Sequence, residues 1–336
     1  MQIKKEFLGL IIVCIIIIGG GYLYMKRTIE ASKPEVEKAK VKKPVVDNLY
    51  GVDFVDPKNG WVVGYYGTIL HTSDSGDHWE YQNSGLTSIL VDVDFVDVNN
   101  GWVVGRFGKI LHTEDGGKTW HEQSSGTSNY LTSVQFLDIN NGWVVGEFGT
   151  ILKTTDGGKK WKYKSLGDFI LNGLYFKDKD DGWVMGEYGN IFRTNDGGDT
   201  WERVDLGTEK TLFSMDFLNE KFGFLSGVDG ALFRTVDGGK TWKKVETGIK
   251  EHFFKVKTKY FGAGNPGAFI IGRGAFIYTF DGGKTWQNVF ELEFPMEYTW
   301  LYDICFPSAT EGFAVGENGL LIRSREGGTK WENLEY

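Results

Sequence analysis

Apolar and polar residues alternate over short stretches of this chain, stop at a turn, and then start again in the same order. In Leu90-Val91-Asp92-Val93-Asp94-Phe95, Val93 and Phe95 fall on one face of an extended strand, and Asp92 and Asp94 take the other. A turn follows at Asp97-Val98-Asn99-Asn100, and then Gly101-Trp102-Val103-Val104-Gly105. A third strand of the form Thr68-Ile69-Leu70-His71-Thr72 comes next, and a fourth begins at a tryptophan. The closing tryptophans are Trp79, Trp120, Trp161, Trp201, Trp242, Trp286 and Trp331, spaced 41, 41, 40, 41, 44 and 45 residues apart. Four short strands in a unit of this length form a propeller blade, and a single blade cannot bury both faces of its own sheet. The pattern predicts an all-β, seven-bladed β-propeller of four-stranded antiparallel blades. The blades fall at approximately 47–86, 87–127, 128–167, 168–208, 209–249, 250–297 and 298–336.

Each unit ends in Thr/Ser-x-Asp-x-Gly-x-x-Trp, as in Thr113-Glu114-Asp115-Gly116-Gly117-Lys118-Thr119-Trp120. A short carboxylate and a hydroxyl bond turn amides, glycine tolerates positive φ, and the indole anchors the hairpin. Asp74, Asp115, Asp156, Asp196, Asp237 and Asp281 are therefore read as turn supports and not as metal ligands or acids. The seventh copy carries Glu326 in that place, which suits a support better than a ligand.

These boxes are BNR/Asp-box repeats. Paired with Gly-Trp-Val-Val-Gly and Gly-Thr-Ile-Leu strands over residues 48–336, they resemble the photosystem II assembly/stability factor-like propellers. The resemblance implies a seven-bladed propeller; photosynthetic members assist assembly of a membrane complex, and many bacterial relatives have no assigned partner. Those photosynthetic members use a positively charged patch. The corresponding turns here are mostly acidic or aromatic, with Arg106 and Arg273 the exceptions, so a relative with a different partner is expected.

Ahead of the repeats, Phe7 to Tyr24 is an uncharged run with Lys4 and Lys5 before it and Lys26 and Arg27 after it. As a helix it reaches about 27 Å, close to a hydrocarbon core of about 30 Å. Residues 1–24 are read as a signal anchor and transmembrane segment, with a cleaved signal peptide as the alternative. Residues 25–46 form a charged tether without apolar period. The Lys residues of the tether alternate with Glu30, Glu35 and Glu37, and the propeller is placed outside the cytoplasm, periplasmic or at the cell surface.

Of 37 Lys/Arg and 45 Asp/Glu, nine and four precede Pro44, which leaves 28 against 41, net −13, for the propeller. That charge excludes nucleic acid as an expected partner. The two cysteines, Cys14 and Cys305, sit in the apolar run and in a strand, so no intrachain disulfide is expected. The five histidines lack ligand-like spacing, and no metal or cofactor is predicted. Ring closure by packing of the first blade on the last, and addition of Val45-Val46 to the last blade, both remain open.

Turns after strands one and three open on one end of the propeller; turns after strand two and the connections between blades open on the other. The second end varies most between units and is the predicted partner-binding face: Tyr65, Tyr66, Arg106, Phe107, Glu147, Phe148, Glu187, Tyr188 and Arg273. The long connection before the seventh blade adds Phe294, Met296 and Trp300 as interface anchors. Glu147, Glu187 and Glu317 offer acids for a glycan hydrolase, but each occupies the same tight-turn position, and no catalysis is expected. The reading is a monomeric, membrane-tethered scaffold that binds a membrane or envelope protein, with glycan binding or cleavage as the alternative.

Overall fold

The computed structural model describes residues 47–262, 264–289, 292, 296 and 299–336. The apolar run at 7–24, the tether, Val45-Val46 and Phe294 lie outside these residues. Among the described residues no helix is long and apolar enough to cross a membrane.

Seven antiparallel sheets of four strands follow one another, each with its strands in sequence order. In the first blade these are Leu49–Phe54, Gly60–Gly64, Thr68–Thr72 and Glu80–Asn83. The first strand of every blade is innermost, and neighbouring inner strands contact one another around the ring, Leu301–Cys305 against Leu49–Phe54 included. The sixth blade departs from the pattern, with inner strands of ten and nine residues, His252–Phe261 and Asn265–Arg273.

The core lies between blades. Trp102, fully buried, stacks on Phe136 of the next blade with ring centroids 3.5 Å apart, and Trp61 on Phe95 at the same distance. The glycine that opens the second strand makes room for this: a Cβ on Gly101 would lie 2.4 Å from the Phe95 ring. The Gly-Trp pair of the first three blades thus serves one stack, glycine seating the phenylalanine and tryptophan covering the next one. Each such aromatic buries on the order of 150–250 Å².

An inner strand leaves one edge of its backbone N–H groups without a sheet partner, and side chains of the preceding blade supply the acceptors. Asp53 Oδ2 accepts from Phe95 N at 2.8 Å, Asp94 Oδ2 from Phe136 N at 2.7 Å and Gln135 Oε1 from Phe176 N at 2.7 Å. Asp216 Oδ2 does the same for Thr258 N at 2.6 Å, and Asp92 Oδ2 for Val134 N at 2.9 Å. Asp303 of the last blade accepts from Val52 N of the first at 3.1 Å. Closure of the ring uses the same device as the junctions between blades one and two, two and three, three and four, and five and six. Phe54 stacks on Phe313 at 4.1 Å, and Arg323 joins Asp77 at 2.7 Å across the same seam.

Candidate functional site

The two ends of the propeller separate as the strand order requires. On one end the turn after strand one bonds the Asp-box: Gly116 N donates to Asn99 O at 2.9 Å and Gly157 N to Asn140 O at 3.0 Å. On the other, the turn after strand two bonds the residue before the inner strand, Tyr65 N to Asn48 O at 3.0 Å and Arg106 N to Ile89 O at 3.0 Å.

At the box end the Thr and Asp side chains of the first six boxes are hydrogen-bonded. Thr113 Oγ1, buried, accepts from Gly117 N at 2.8 Å and donates to Asp115 Oδ1 at 2.8 Å. Asp115 then accepts from Thr119 N at 2.9 Å and Thr119 Oγ1 at 2.7 Å, and these bonds hold its carboxyl down at about 2. Asp74, Asp156, Asp196, Asp237 and Asp281 repeat the backbone bond at 2.8–3.0 Å. The seventh box differs: Ser324 Oγ accepts from Gly328 N at 2.8 Å, while the Glu326 carboxylate makes none of these bonds.

The box also latches neighbouring blades, a role the repeat pattern does not reveal. Its first glycine carbonyl accepts from the preceding blade: Gly116 O from Trp61 Nε1 at 3.3 Å and Gln82 Nε2 at 2.8 Å, Gly157 O from Trp102 Nε1 at 3.3 Å and Gln123 Nε2 at 2.8 Å. Later junctions replace the donor. Arg234 serves Gly282 O at 2.7 Å, Lys259 serves Gly327 O at 3.2 Å, and Arg323 serves Ser75 O at 2.8 Å. Burial brings the Lys259 ammonium down to about 8, and the Phe306 ring, 4.1 Å away, covers it.

The opposite end is built on one backbone conformation. The middle residue of the turn after strand two is left-handed in every blade: Tyr66 (φ 53°), Phe107 (61°), Phe148 (56°), Tyr188 (57°), Asp229 (51°), Gly274 (66°) and Asn318 (54°). Asp, Gly and Asn reach this region at low cost, whereas an aromatic side chain does not. The four aromatic residues are 63, 67, 54 and 64 % exposed, in chain order, on four consecutive blades.

Other predicted site residues have partners within the fold. Tyr65 packs edge-on against Tyr66 at 4.6 Å, and the Arg106 guanidinium lies over the Tyr130 ring at 5.6 Å. Glu147 Oε2 accepts from Tyr130 N at 3.0 Å, Glu187 Oε2 from Ile170 N at 2.9 Å and Glu317 Oε1 from Trp300 N at 3.0 Å. These carboxylates tie each turn to the start of its own inner strand, so three glutamates at one turn position have a structural cause. Arg273 lies over Trp300 at 5.2 Å, and Trp300 is half-buried, 5.9 Å from Phe254. Met296 packs against the core between the sixth and seventh blades. Both residues of the long connection are thus fixed by their own blades.

Between the two ends runs a charged channel that the sequence reading did not single out. Asp53, Asp92, Asp94, Asp216 and Asp303 face Lys255 and Lys257 in a cavity of about 170 Å³. Lys255 Nζ lies 2.9 Å from Asp303 Oδ1. Burial alone would lower that ammonium, but Asp303 and Asp92 hold it above its ordinary value. Asp53 keeps a little surface toward the channel but is enclosed by protein, and this burial pushes it up to about 6. Asp94 rises well above the usual carboxylate range through burial and the adjacent Asp53. Cys305 lies in the same ring, buried, its thiol raised by the enclosure. The signal was present in the polar phase of the inner strands, Asp92 and Asp94 flanking Val93. No group of three or more His, Cys, Asp or Glu among the described residues is arranged to hold a metal ion.

Comparison with known proteins follows the repeat closely. The family model for photosynthesis system II assembly factor YCF48 matches residues 31–122, 82–168, 122–209 and 200–295. No curated protein matches. Among solved structures, YCF48 bound to a D1 peptide is 24 % identical, with 84 % of this chain and 94 % of that chain covered and a TM-score of 0.69. YCF48 from Cyanidioschyzon merolae is 23 % identical, covering 85 % and 98 %, with a TM-score of 0.67. An ancestral GH74 enzyme is similar at 10 % identity and a TM-score of 0.71, over 87 % of this chain and 46 % of that one. At these identities the structures show the shared propeller alone. The family model spans most of the chain, and the protein belongs to the photosynthesis system II assembly factor YCF48 family.

Proposed function

We propose that this protein is a non-catalytic scaffold or assembly factor that binds a membrane or envelope protein through the end of the propeller opposite the Asp-boxes. The observation that carries this is the row of exposed aromatic residues at Tyr66, Phe107, Phe148 and Tyr188, each in a backbone conformation that disfavours it. A residue that adds strain and leaves most of its ring in water contributes little to the isolated fold, and such residues concentrate where a partner is engaged. Family membership supports a protein partner, since a propeller of the same family holds a D1 peptide. Catalysis has little support here: Glu147, Glu187 and Glu317 are each bonded to a backbone N–H and sit on three separate blades. The propeller's net charge disfavours nucleic acid.

In this reading the apolar run at 7–24 anchors the chain and the propeller works outside the cytoplasm, as a monomer and without a cofactor. The test is crosslinking followed by affinity capture of the tagged full-length chain from native membranes. A stoichiometric protein partner is expected. Retention on purified wall polysaccharide with no protein captured would overturn the reading in favour of a glycan ligand.

A further inference from the structure

The channel is lined in layers, each inner strand giving a residue to a layer. Tyr50, two residues after the Asn48 that holds the turn at Tyr65, belongs to the layer nearest the aromatic end. There Phe213, Phe254, Tyr302 and Tyr50 line a hollow of about 160 Å³. They come from four consecutive blades of the closed ring, with successive centroids 5.3, 6.0 and 5.0 Å apart, and each is half-buried. Across from them Thr132 Oγ1 donates to Leu171 O at 2.5 Å and Asn172 Nδ2 to Leu212 O at 3.0 Å, so the polar wall is spent on the backbone. The deeper hollow of about 170 Å³ shares Asp92, Ser133, Lys255 and Asp303 with this one. An elongated ligand in the first reaches the second.

Charge in the channel is segregated. Lys255 lies 2.9 Å from Asp303 and Lys257 3.8 Å from Asp216, so both lysines, on the sixth blade, are matched by its two neighbours. Asp53, Asp92 and Asp94, on the first two blades, make no ion pair among the described residues. Cys305, 9 % exposed and without a hydrogen-bond partner, stands in the layer of Asp53 and Lys257 and adds no charge. The fold does not need the three carboxylates as charges. Gln135 Oε1 accepts from Phe176 N at 2.7 Å and Ser214 Oγ from Val256 N at 3.3 Å, making with neutral groups the bonds that Asp53, Asp94 and Asp92 make. Enclosed carboxylates without a cation are unfavourable, and the raised carboxyls of Asp53 and Asp94 express it. Among the described residues the acids are not grouped to hold a metal ion. An arc of rings beside them suits an organic cation, which gains from the ring faces and from burial of its apolar stem.

We propose that the channel is a binding site for an alkylammonium ion, its stem against Tyr50, Phe213, Phe254 and Tyr302 and its head beside Asp92 and Asp94. The site is separate from the exposed aromatic row and goes beyond the scaffold reading, since its test needs no partner. A free amine and a lysine side chain share this chemistry.

Pentylammonium is titrated calorimetrically into the full-length chain in detergent at pH 8, with pentan-1-ol and ammonium as controls. Saturable binding is expected, at least about tenfold tighter than either control. Asp53→Asn with Asp94→Asn keeps both backbone acceptors and should weaken it at least about tenfold with an unchanged or raised Tm. Glu114→Gln with Glu202→Gln, exposed and equal in charge change, should leave it unaltered. Phe213→Leu with Phe254→Leu should bring pentylammonium toward the level of ammonium. N-acetyl-lysine methylamide identifies the source: tighter binding than pentylammonium assigns a partner's lysine, weaker binding a free amine. No saturable binding, equal binding of pentan-1-ol or of ammonium, or full binding by the double Asn variant would overturn the proposal, and each leaves the scaffold reading standing.

Discussion

The two ends of this propeller are made from the same repeat and obey different rules. At the box end, the backbone carbonyl of six boxes is served by whatever donor the preceding blade offers: an indole with a carboxamide at the first two junctions, the Trp143 indole alone at the third, and Arg234, Lys259 or Arg323 later. At these six junctions the residues change and the bond persists, which is the signature of a structural requirement. At the opposite end the backbone is held constant, with φ between 51° and 66° in all seven turns, and the side chains that it carries make few bonds. There the conformation persists and the residues vary. Sequence variation thus means opposite things at the two ends: substitution of equivalents at one, release from the fold at the other.

The largest effect should come from breaking a junction at the box end. Trp102→Ala removes a fully buried indole that stacks on Phe136 and donates to Gly157 O across the blade boundary. A loss of about 3–5 kcal/mol is expected in urea denaturation. A loss below about 1 kcal/mol would mean that the stack between blades does not hold the ring.

The channel joins the two ends and supplies the next test. Asp53 has a folded value of about 6 against an ordinary 3.8, so its neutral form is favoured in the folded state. Its stabilising contribution is complete below about pH 4 and is lost as pH rises through about 6. Asp53→Asn keeps an acceptor for Phe95 N and has no charge to lose. The variant should gain on the wild type between pH 4 and 6 and exceed it at pH 8 by no more than about 3 kcal/mol. Thermal melts across that range decide it, and a variant less stable at pH 8 than at pH 4, relative to wild type, would refute it.

A comparison within the box end sharpens the rule further. Asp115→Ala strips acceptors from Thr119 N and two hydroxyls and should cost about 1–2 kcal/mol at neutral pH. Glu326→Ala should cost nothing measurable, because Ser324 holds that turn alone. The Asp115 contribution is present above about pH 4 and lost as pH falls toward 2, since its folded value lies below the unfolded one. Equal losses from the two substitutions would remove the distinction between position and bond.

Much of this was legible in the sequence because the repeat writes each strand seven times. The period, the four-strand blade, the box turns and the assignment of loops to two ends all follow from local spacing. Bonds between blades do not. Trp102 and Gly157 are 55 residues apart, and nothing in either repeat says that the indole of one reaches the carbonyl of the other. Glu147, Glu187 and Glu317 were read as surface candidates because the sequence shows a turn position but not the strand start beside it. Met296 and Trp300 looked like anchors for the same reason; apolar residues in a long connection have the same composition whether they face a partner or their own blade. Ring closure stayed open in the sequence because an Asp303 bond to Val52 spans 251 positions. In the aromatic row the residue types were visible, and the left-handed φ at each of them was not.

That last point is the smallest effect and the most telling. Phe107→Asn exchanges an exposed ring at φ 61° for a side chain suited to the left-handed region, as Asn318 shows in the seventh blade. The substitution should stabilise the isolated protein by about 0.5–1 kcal/mol, measured as a rise in Tm or urea midpoint, while weakening partner capture. A residue that improves the fold when removed and harms binding when removed has been kept for the partner. If Phe107→Asn instead destabilises the propeller, the ring has a packing role at this end too, and the contrast between bonded and released side chains fails at its most exposed position.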